Sequence, residues 1–374
     1  MILNRFFPLT LSKATPLTCS LLVVSVGTAS TTQAQSIDEY FLDRTFDLPD
    51  SWNGTGDSDD NVLFTDLPDG RILVVNGPTI SVETGVGTGV FSDIGDYVVT
   101  SPTFGPTIAS VSPDGTSVLI GSNFSGSVYV ASTSAPTPGS TQVFSANDSD
   151  GIWLDNTNIA LTNGSGVQLL DTSDGTVTTI VDNVGGGSAG ITLDSSGNLY
   201  TGNGFDFAPG RPNTGLIKAF TAADIQTAIT SGTPIDFQNA GVEVADLLSA
   251  GSLGFDAAGN FFVGGGDFFG GSGDFGYAAL IDADAFDDRL ANPGSVPLID
   301  SSSPTDILRQ FASPPATVSA SQPPSWVYNE ATGELLISYF NQSEVFVYAV
   351  PEPTSAGLLA LGLAVGFRRR RGTR

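Results

Sequence analysis

The chain has 374 residues and a formal net charge of −26, with no His and a single Cys, Cys19. The lack of His excludes Ser-His-Asp triads, Cys-His pairs and His-ligated zinc or copper sites. The strong negative charge disfavours binding to nucleic acid or to an anionic membrane, so we expect no nucleic-acid partner.

Residues 1–34 have the pattern of a secretory signal peptide. Arg5 and Lys13 supply positive charge, and residues 17–29 form an apolar stretch that is too short to span a bilayer comfortably. A small-x-small site predicts cleavage after Ala34. A buried first strand is the alternative. The signal predicts export, and its removal takes away the one Cys, so the mature protein has no disulfide.

An acidic loop follows, in which oxygen-bearing side chains alternate at Asp57, Asp59 and Asn61. Alternating oxygen ligands suit Ca²⁺, which is the one cofactor that the sequence suggests. The loop departs from an EF-hand, because it lacks a Gly at the sixth position and has Pro68 at the twelfth. A solvated acidic loop without a metal is the alternative.

The middle of the chain is built from one repeated hairpin. Residues 189–206, AGITLDSSGNLYTGNGFD, recur as residues 250–267, AGSLGFDAAGNFFVGGGD, with Asp194 and Asp256 62 residues apart. Each copy predicts a strand, a tight turn that ends in Gly-Asn, and a second strand. Looser copies begin at Asn61, Thr107, Gly151 and Ser325, which makes six in all.

The spacing of these hairpins predicts the fold. Their turn residues are 45, 41, 41, 62 and 74 residues apart, and a period of about 40–50 residues with four strands per unit is typical of propeller blades. We predict an all-β chain in which residues 35–349 form a single six-bladed β-propeller, closed by an N-terminal strand near residues 40–46. A seventh, degenerate blade in the 74-residue step is an alternative. A parallel β-helix fits less well, because its repeats would be shorter and more regular.

The two long steps each contain a short helical segment after the third strand of the blade, at residues 221–230 and 282–291. Ile225 and Ile229 lie four residues apart in the first segment, so they share one helix face. The first residue of each segment, Thr or Asp, is a suitable N-cap. We therefore predict helices inserted in blades four and five.

The segments DSSGNLYTGN (residues 194–203) and SPDGTSVLIGSN (residues 112–123) resemble NHL-type and gluconolactonase-like β-propeller repeats. The resemblance covers roughly residues 61–350 and rests on a hairpin pattern that many propeller families share. It implies one alternative activity, that of a metal-dependent lactonase or sugar-acid hydrolase with Glu, Asn and Asp around a metal in the central channel. Against this activity, no Glu of the propeller region stands at the start of a blade's first strand.

The last 25 residues have three parts in order: VPEP at residues 350–353, an apolar segment at residues 354–367, and four Arg at residues 368–371. This order resembles the PEP-CTERM sorting signal of Gram-negative bacteria, which exosortase-type enzymes recognise. The resemblance implies processing by such an enzyme and delivery to the cell surface or extracellular matrix. The residues that carry it are Pro351, Glu352, Pro353, Arg368, Arg369, Arg370 and Arg371.

The apolar segment of this tail has 14 residues, and as a helix it would be about 21 Å long, shorter than the ~30 Å hydrocarbon core of a bilayer. It therefore suits the transient membrane insertion of a precursor better than a permanent anchor. The positive-inside rule would leave the four Arg cytoplasmic and the Pro-Glu-Pro motif at the outer interface. An ordinary short C-terminal anchor is the alternative.

Each predicted hairpin's second strand is followed by an amide or carboxylate side chain. These residues are Asn76, Asn123, Asn163, Asn203, Asp267 and Asn341. In one interpretation, which we adopt, each side chain bonds its own backbone two residues further on, as an Asx-turn. In the other, several of them form a polar rim on one face of the propeller that binds a sugar or a cation.

These patterns together predict an exported cell-surface or matrix propeller that acts as a non-catalytic binding or structural module. Its expected partners are the exosortase-type processing enzyme and either a glycan, such as an exopolysaccharide, or another surface protein. The C-terminal segment predicts a transient association with the inner membrane. The lactonase-type hydrolase is the alternative function.

Overall fold

The computed structural model describes residues 37–47, 62–97, 106–122, 126–134, 141–144, 148–185, 188–204, 215–247, 249–265, 277–311, 325–338 and 344–349, which all belong to one compact unit. The elements of the first half are a 3-10 helix (Ile37–Glu39), β1 (Phe41–Asp47), β2 (Val62–Asp66), β3 (Ile72–Asn76), β4 (Thr79–Glu83), β5 (Phe91–Asp96), β6 (Ile108–Val111), β7 (Ser117–Ser122), β8 (Ser127–Ser132), β9 (Thr141–Phe144), β10 (Asp148–Trp153), β11 (Asn158–Asn163), β12 (Gly166–Asp171) and β13 (Val177–Asp182).

The elements of the second half continue in the same order. They are β14 (Ser188–Leu193), β15 (Leu199–Asn203), β16 (Gly215–Phe220), α1 (Ala222–Ser231), β17 (Ile235–Asp236), β18 (Val242–Leu247), β19 (Ser252–Phe255), β20 (Phe261–Gly265), β21 (Tyr277–Ile281), α2 (Ala283–Ala291), β22 (Ile299–Asp300), β23 (Leu308–Gln310), β24 (Ser325–Asn329), β25 (Glu334–Ser338) and β26 (Glu344–Ala349).

The described strands form six sheets, which are the six blades of a propeller. Blade 1 is β2-β3-β4-β5, blade 2 is β6-β7-β8-β9, and blade 3 is β10-β11-β12-β13 with β17 at its edge. Blade 4 is β14-β15-β16-β18 with β22 at its edge, blade 5 is β19-β20-β21-β23, and blade 6 is β24-β25-β26-β1. The first strand of every blade contacts that of the next, and β24 of blade 6 returns to β2 of blade 1, so the ring is closed. The prediction of a six-bladed propeller is confirmed.

The N-terminal strand closes the ring by completing the last blade. β1 pairs antiparallel with β26, with Phe41 opposite Ala349 and Phe46 opposite Val345. The three other strands of blade 6 come from the C-terminal end of the domain, so one sheet holds the first and last strands of the propeller. The predicted closing strand at residues 40–46 is therefore confirmed.

The core lies between the blades, where both faces of the middle strands are covered. Every residue of β3, β15 and β20 is buried, which explains why residues 72–75 of β3 and 261–263 of β20 are continuously apolar. Between blades 4 and 5 the rings of Phe261 and Phe286 stack with centroids 4.6 Å apart, and Tyr200 lies 5.3 Å from Phe255. Burial of each such side chain contributes roughly 1.5–3 kcal/mol to folding.

The two predicted helices lie in blades 4 and 5 and begin as expected. Thr221 accepts a hydrogen bond from the amide of Asp224 at the start of α1, and Asp282 accepts one from Ala285 at the start of α2. In both blades the Asn of the hairpin turn also bonds the first amide of the helix. The Oδ1 atom of Asn198 accepts from Ala222 at 3.1 Å, and that of Asn260 accepts from Ala283 at 3.0 Å.

Each insertion also covers the outer edge of the preceding blade. The two residues of β17 pair in parallel with β13, and those of β22 pair in parallel with β18. On blade 5 the N-terminal segment contacts the outer strand without pairing as a strand, because Arg309 of β23 donates to the carbonyls of Ile37 and Tyr40. Covering a strand edge removes a template for unwanted pairing with other chains.

Candidate functional site

Three of the six predicted rim residues lie within the described part of the chain. Asn76, Asn163 and Asn203 end the second strands of blades 1, 3 and 4. The other three rim residues, the proposed Ca²⁺ ligands, the signal cleavage site and the sorting motif lie outside the described residues. These are Asn123, Asp267, Asn341, Asp57, Asp59, Asn61, Ala34, Pro351, Glu352, Pro353, Arg368, Arg369, Arg370 and Arg371. Whether the six rim residues form one ring therefore stays a prediction.

The Asx-turn interpretation is excluded for Asn76 by a residue that follows it, and for Asn163 it stays a prediction. Two residues after Asn76 stands Pro78, which has no N–H to donate. Two residues after Asn163, the amide of Ser165 donates to the main-chain carbonyl of Asn163. This main-chain bond closes the tight two-residue connection between β11 and β12.

Asn203 connects blade 4 to its two neighbours. Its Nδ2 atom donates to the carbonyl of Val184 at 3.2 Å and to that of Gly185, both in the connection from blade 3. Its main-chain carbonyl accepts from the amide of Ala250, in the connection to blade 5, at 3.0 Å. Asn203 is buried, and its described hydrogen bonds connect blade 4 to the chain segments on either side of it.

Asx-turns are found at the opposite end of the blades, in the turns that join first and second strands. In blade 4 the Oδ1 atom of Asp194 accepts from the amides of Ser196 and Asn198 at 2.8 and 2.9 Å. Its Oδ2 atom accepts from the Asn198 side chain at 2.7 Å and from the Tyr200 hydroxyl at 2.9 Å. Although partial burial acts in the opposite direction, these bonds hold the pKa of Asp194 below its usual value.

Asp256 has the same network in blade 5, with one difference. Its carboxylate accepts from the amides of Ala258 and Asn260 and from the Asn260 side chain, at 2.8 to 2.9 Å. The hydroxyl in this case comes from Tyr40, in the N-terminal segment, at 2.9 Å. Both carboxylates, Asp194 and Asp256, thus accept hydrogen bonds from the main chain of their own hairpins. Among the described residues, no group of three or more Asp, Glu, His or Cys is arranged to hold a metal.

Asp150 is a titratable residue near the start of an inner strand that the sequence did not single out. Its Oδ1 atom accepts from the amide of Gly151 at 2.8 Å, and its Oδ2 atom accepts from the amide of Ile191, in the inner strand of blade 4, at 3.0 Å. Burial raises the pKa of Asp150 to about 7. Asp150 precedes Ile191 by 41 residues, which is one blade period. This spacing is the sequence signal for a contact between adjacent blades.

Lys218, the one Lys of residues 35–349, is buried and hydrogen-bonded. Its Nζ atom donates to the carbonyls of Phe237 and Ala240 at 2.7 and 3.3 Å and lies 5.1 Å from the centre of the Phe237 ring. Glu243 is 3.7 Å away as an ion-pair partner. These contacts fix the chain that returns from α1 to β18.

The C-terminal tail leaves the propeller at the hairpin-turn end of blade 6. Ala349, the last described residue, lies between Glu334 of β25 and Phe41 of β1. Glu334 is the first residue after the turn between β24 and β25. The chain beyond Ala349 therefore starts directly from a paired strand, and the first Pro of the sorting motif is two residues away.

The fold and this tail define an exported β-propeller protein with a C-terminal sorting motif. Residues 349–371 match the model of the PEP-CTERM protein-sorting motif. The motif implies export, sorting to the cell surface and processing by an exosortase-type enzyme. No helix among the described residues has the length and apolar character needed to cross a membrane.

Three solved structures of differently named proteins are similar to this chain at low sequence identity. Hydrazine synthase of Kuenenia stuttgartiensis is 13% identical over 76% of this chain and 94% of its own, with a TM-score of 0.46. A chain of a nidogen/laminin complex is 13% identical over 78% and 94%, with a TM-score of 0.44. A Trichoderma reesei carbohydrate-active enzyme of family AA12 is 11% identical over 84% and 97%, with a TM-score of 0.49. No curated protein sequence matches the chain, and none of these similarities bears on function.

Proposed function

We propose that the mature protein, residues 35–349, is a non-catalytic binding or structural module displayed at the cell surface or in the extracellular matrix. The observation that carries the proposal is that the side chains best suited to catalysis are already hydrogen-bonded within the fold. Lys218 is held by main-chain carbonyls, and the carboxylates of Asp194 and Asp256 are filled by hairpin amides. A group in such a network stabilises the fold and is not free to act on a substrate.

The ligand that fits best is a glycan of the surrounding matrix, with another surface protein as the second choice. The connections between second and third strands carry much of the variation between blades, and loops of this kind usually hold binding residues. In blades 4 and 5 these connections are long, and their sequences contain five Phe: Phe205, Phe207, Phe268, Phe269 and Phe275. Aromatic side chains combined with a few amide and carboxylate groups are the usual lining of a ligand site.

Sorting is part of the proposed function. We propose a precursor whose apolar segment, residues 354–367, is inserted in the inner membrane until the exosortase-type enzyme cleaves near the Pro-Glu-Pro motif. The length of that segment supports this course, because a predominantly apolar segment of 14 residues is too short for a stable permanent span. Cleavage then frees the propeller for the surface.

A lactonase-type hydrolase stays as a second candidate because of Asp150. A carboxylate with a pKa raised to about 7, near the start of an inner strand, is the kind of group that catalytic sites use as a general base. Its two oxygens are already engaged by the amides of Gly151 and Ile191, which is why we rank the hydrolase second.

Processed protein recovered from the producing cell distinguishes the two functions. We expect it to bind matrix glycans on an array in the presence of a chelator and to show no lactone hydrolysis with added Ca²⁺ or Zn²⁺. Hydrolysis that appears with the metal, disappears with the chelator and is lost in Asp150→Asn would establish the enzyme instead.

A further inference from the structure

Exposed apolar side chains are concentrated at the end of the propeller from which the sorting tail leaves. Among the described residues, the large apolar side chains with the greatest exposure are Phe41 (43%), Leu42 (49%), Val86 (45%), Val90 (58%) and Val177 (39%). All five lie at the end of their blades where the first strand turns into the second. The first four belong to blades 6 and 1, and we call them the exit patch.

The exit patch is continuous with the point where the tail begins. Phe41 stands opposite Ala349 in the last sheet, and Leu42 stands opposite Tyr348. Successive residues of a strand point to opposite faces of the sheet. Because both Phe41 and Leu42 are exposed, the sheet is open to solvent on both faces at this corner.

Blade 1 joins the exit patch through the hairpin tip of blade 6. The side chain of Asn329, at the end of β24, donates to the carbonyl of Gly70 at 2.9 Å. A Cβ atom on Gly70 would overlap that of Ala331 and would lie 3.6 Å from Val86. The loop that carries Val86 and Val90 is thus packed beside the tip of blade 6.

The exposed cations of the described residues lie at the same place. Arg44 is ion-paired with Asp43 and Glu334, and Arg71 is paired with Asp69. The other described cations, Lys218, Arg289 and Arg309, donate to main-chain carbonyls inside the protein. A surface of apolar side chains whose Arg are all ion-paired offers no free cation to anionic lipid, which the net charge of −26 also opposes. Such a surface suits the zwitterionic headgroup region of a bilayer.

The tail is too short to hold the propeller far from the membrane. Four residues, 350–353, separate Ala349 from the apolar segment, and four extended residues span at most about 14 Å. When the apolar segment is inserted, the exit end of the propeller must therefore lie at the membrane surface. The adjoining apolar patch then faces the bilayer.

We propose that Phe41, Leu42, Val86 and Val90 form a membrane-contact patch that holds the propeller of the precursor against zwitterionic lipid and so presents the Pro-Glu-Pro motif to the processing enzyme. This inference rests on the proposed membrane-inserted precursor. The patch is small, so its hold on the bilayer depends on the inserted tail and ends when the tail is cleaved.

The test uses the precursor that remains after signal cleavage, residues 35–374, in phosphatidylcholine vesicles. This chain contains no Cys, so single Cys labels can be introduced directly. An environment-sensitive dye is attached at Val90→Cys, and at Val177→Cys as the matched control on blade 3. Alkali extraction first establishes whether the tail is inserted. Failure of insertion would contradict the precursor proposal, and with it the premise of the patch.

With the tail inserted, we expect a lipid-borne quencher to act on the dye at position 90 about threefold or more strongly than at position 177, as for a residue at the headgroup boundary. Equal quenching at the two positions would overturn the patch and leave the precursor proposal intact. Quenching that needs anionic lipid would contradict the zwitterionic assignment.

A second measurement follows processing in cells. The variant with Ser at all four patch positions should be processed several-fold more slowly than wild type, and Val177→Ser should be processed normally. These side chains are exposed, so folding is expected to survive. Normal processing of the fourfold variant would overturn the presentation role. A patch-dependent dimer of the processed protein in gel filtration would assign the patch to a second copy of the chain instead.

Discussion

The Oδ2 atom of Asp150 accepts a hydrogen bond from the amide N of Ile191 at 3.0 Å, so a carboxylate of blade 3 holds the inner strand of blade 4. The strands packed around it, β6, β11 and β14, contain no Asp, Glu, Lys or Arg, and its own strand adds Asp148. The ionised group is thus partly removed from water without a cationic partner on these strands. Burial raises its pKa from the model-peptide value of 3.8 to about 7.

The first prediction is that Asp150 makes the fold less stable as the pH rises. The folded protein favours the neutral carboxyl, so the penalty is absent below the unfolded pKa near 4 and grows until pH reaches about 7. The total is on the order of a few kcal/mol. In urea unfolding, the free energy of unfolding of Asp150→Asn should therefore increase relative to that of wild type between pH 5 and pH 8. Asp194→Asn is the control, because a lowered pKa changes nothing in that range. An unchanged difference between Asp150→Asn and wild type at both pH values would contradict the prediction.

The second prediction compares two Tyr hydroxyls that bond equivalent carboxylates. Tyr40→Phe and Tyr200→Phe should each cost about 1 kcal/mol of unfolding free energy, the usual value of one hydrogen bond. Only Tyr40→Phe removes a tie between the N-terminal segment and blade 5. Hydrogen exchange should therefore become faster in β1 for Tyr40→Phe and stay unchanged there for Tyr200→Phe. Equal exchange of β1 in both variants would show that the closing strand does not depend on this bond.

The third prediction concerns the side-chain amide of Asn203, which connects blade 4 to the chain that arrives from blade 3. Asn203→Ala leaves the carbonyls of Val184 and Gly185 without their donor, and we expect a loss on the order of 1–2 kcal/mol. Asn203→Asp should lose more, because a carboxylate would face those two carbonyls. Asn163→Ala should cost less than Asn203→Ala, since Asn163 is only partly buried. Denaturant titration measures all three, and an equal loss for the two Ala variants would argue against the inter-blade role.

The sequence predicts what is local or periodic in this fold. The hairpins, the N-caps Thr221 and Asp282 and the closing strand all have signals within a few residues or within one blade period. The edge strand β17 has no such signal, because two residues show no alternation and its pairing of Ile235 with Val181 joins distant parts of the chain. The contacts of Asn203 and Asp150 run between blades, so only the packed ring reveals them.

The fourth prediction is that Lys218 is structural. Lys218→Met keeps the length of the side chain but leaves the carbonyls of Phe237 and Ala240 without a donor, which should cost about 1–3 kcal/mol. Arg71→Met is the control, since an exposed ion pair contributes at most about 1 kcal/mol. Glycan binding by the folded Lys218→Met variant should equal that of wild type. A loss of binding with unchanged stability would instead place Lys218 at the ligand site.

The last prediction separates the two halves of the sorting tail. Replacing Pro351, Glu352 and Pro353 with Ala should remove the sequence that the processing enzyme recognises and leave the apolar segment and the Arg cluster in place. The precursor should then accumulate in the membrane fraction at its uncleaved mass.

Replacing the four Arg at 368–371 with Gln removes the charge that keeps the end of the chain cytoplasmic. That variant should pass through the membrane and appear outside the cell with its tail intact. Mass spectrometry of the membrane and culture fractions distinguishes the two. Wild-type protein recovered from the cell surface and still ending at Arg374 would contradict processing altogether.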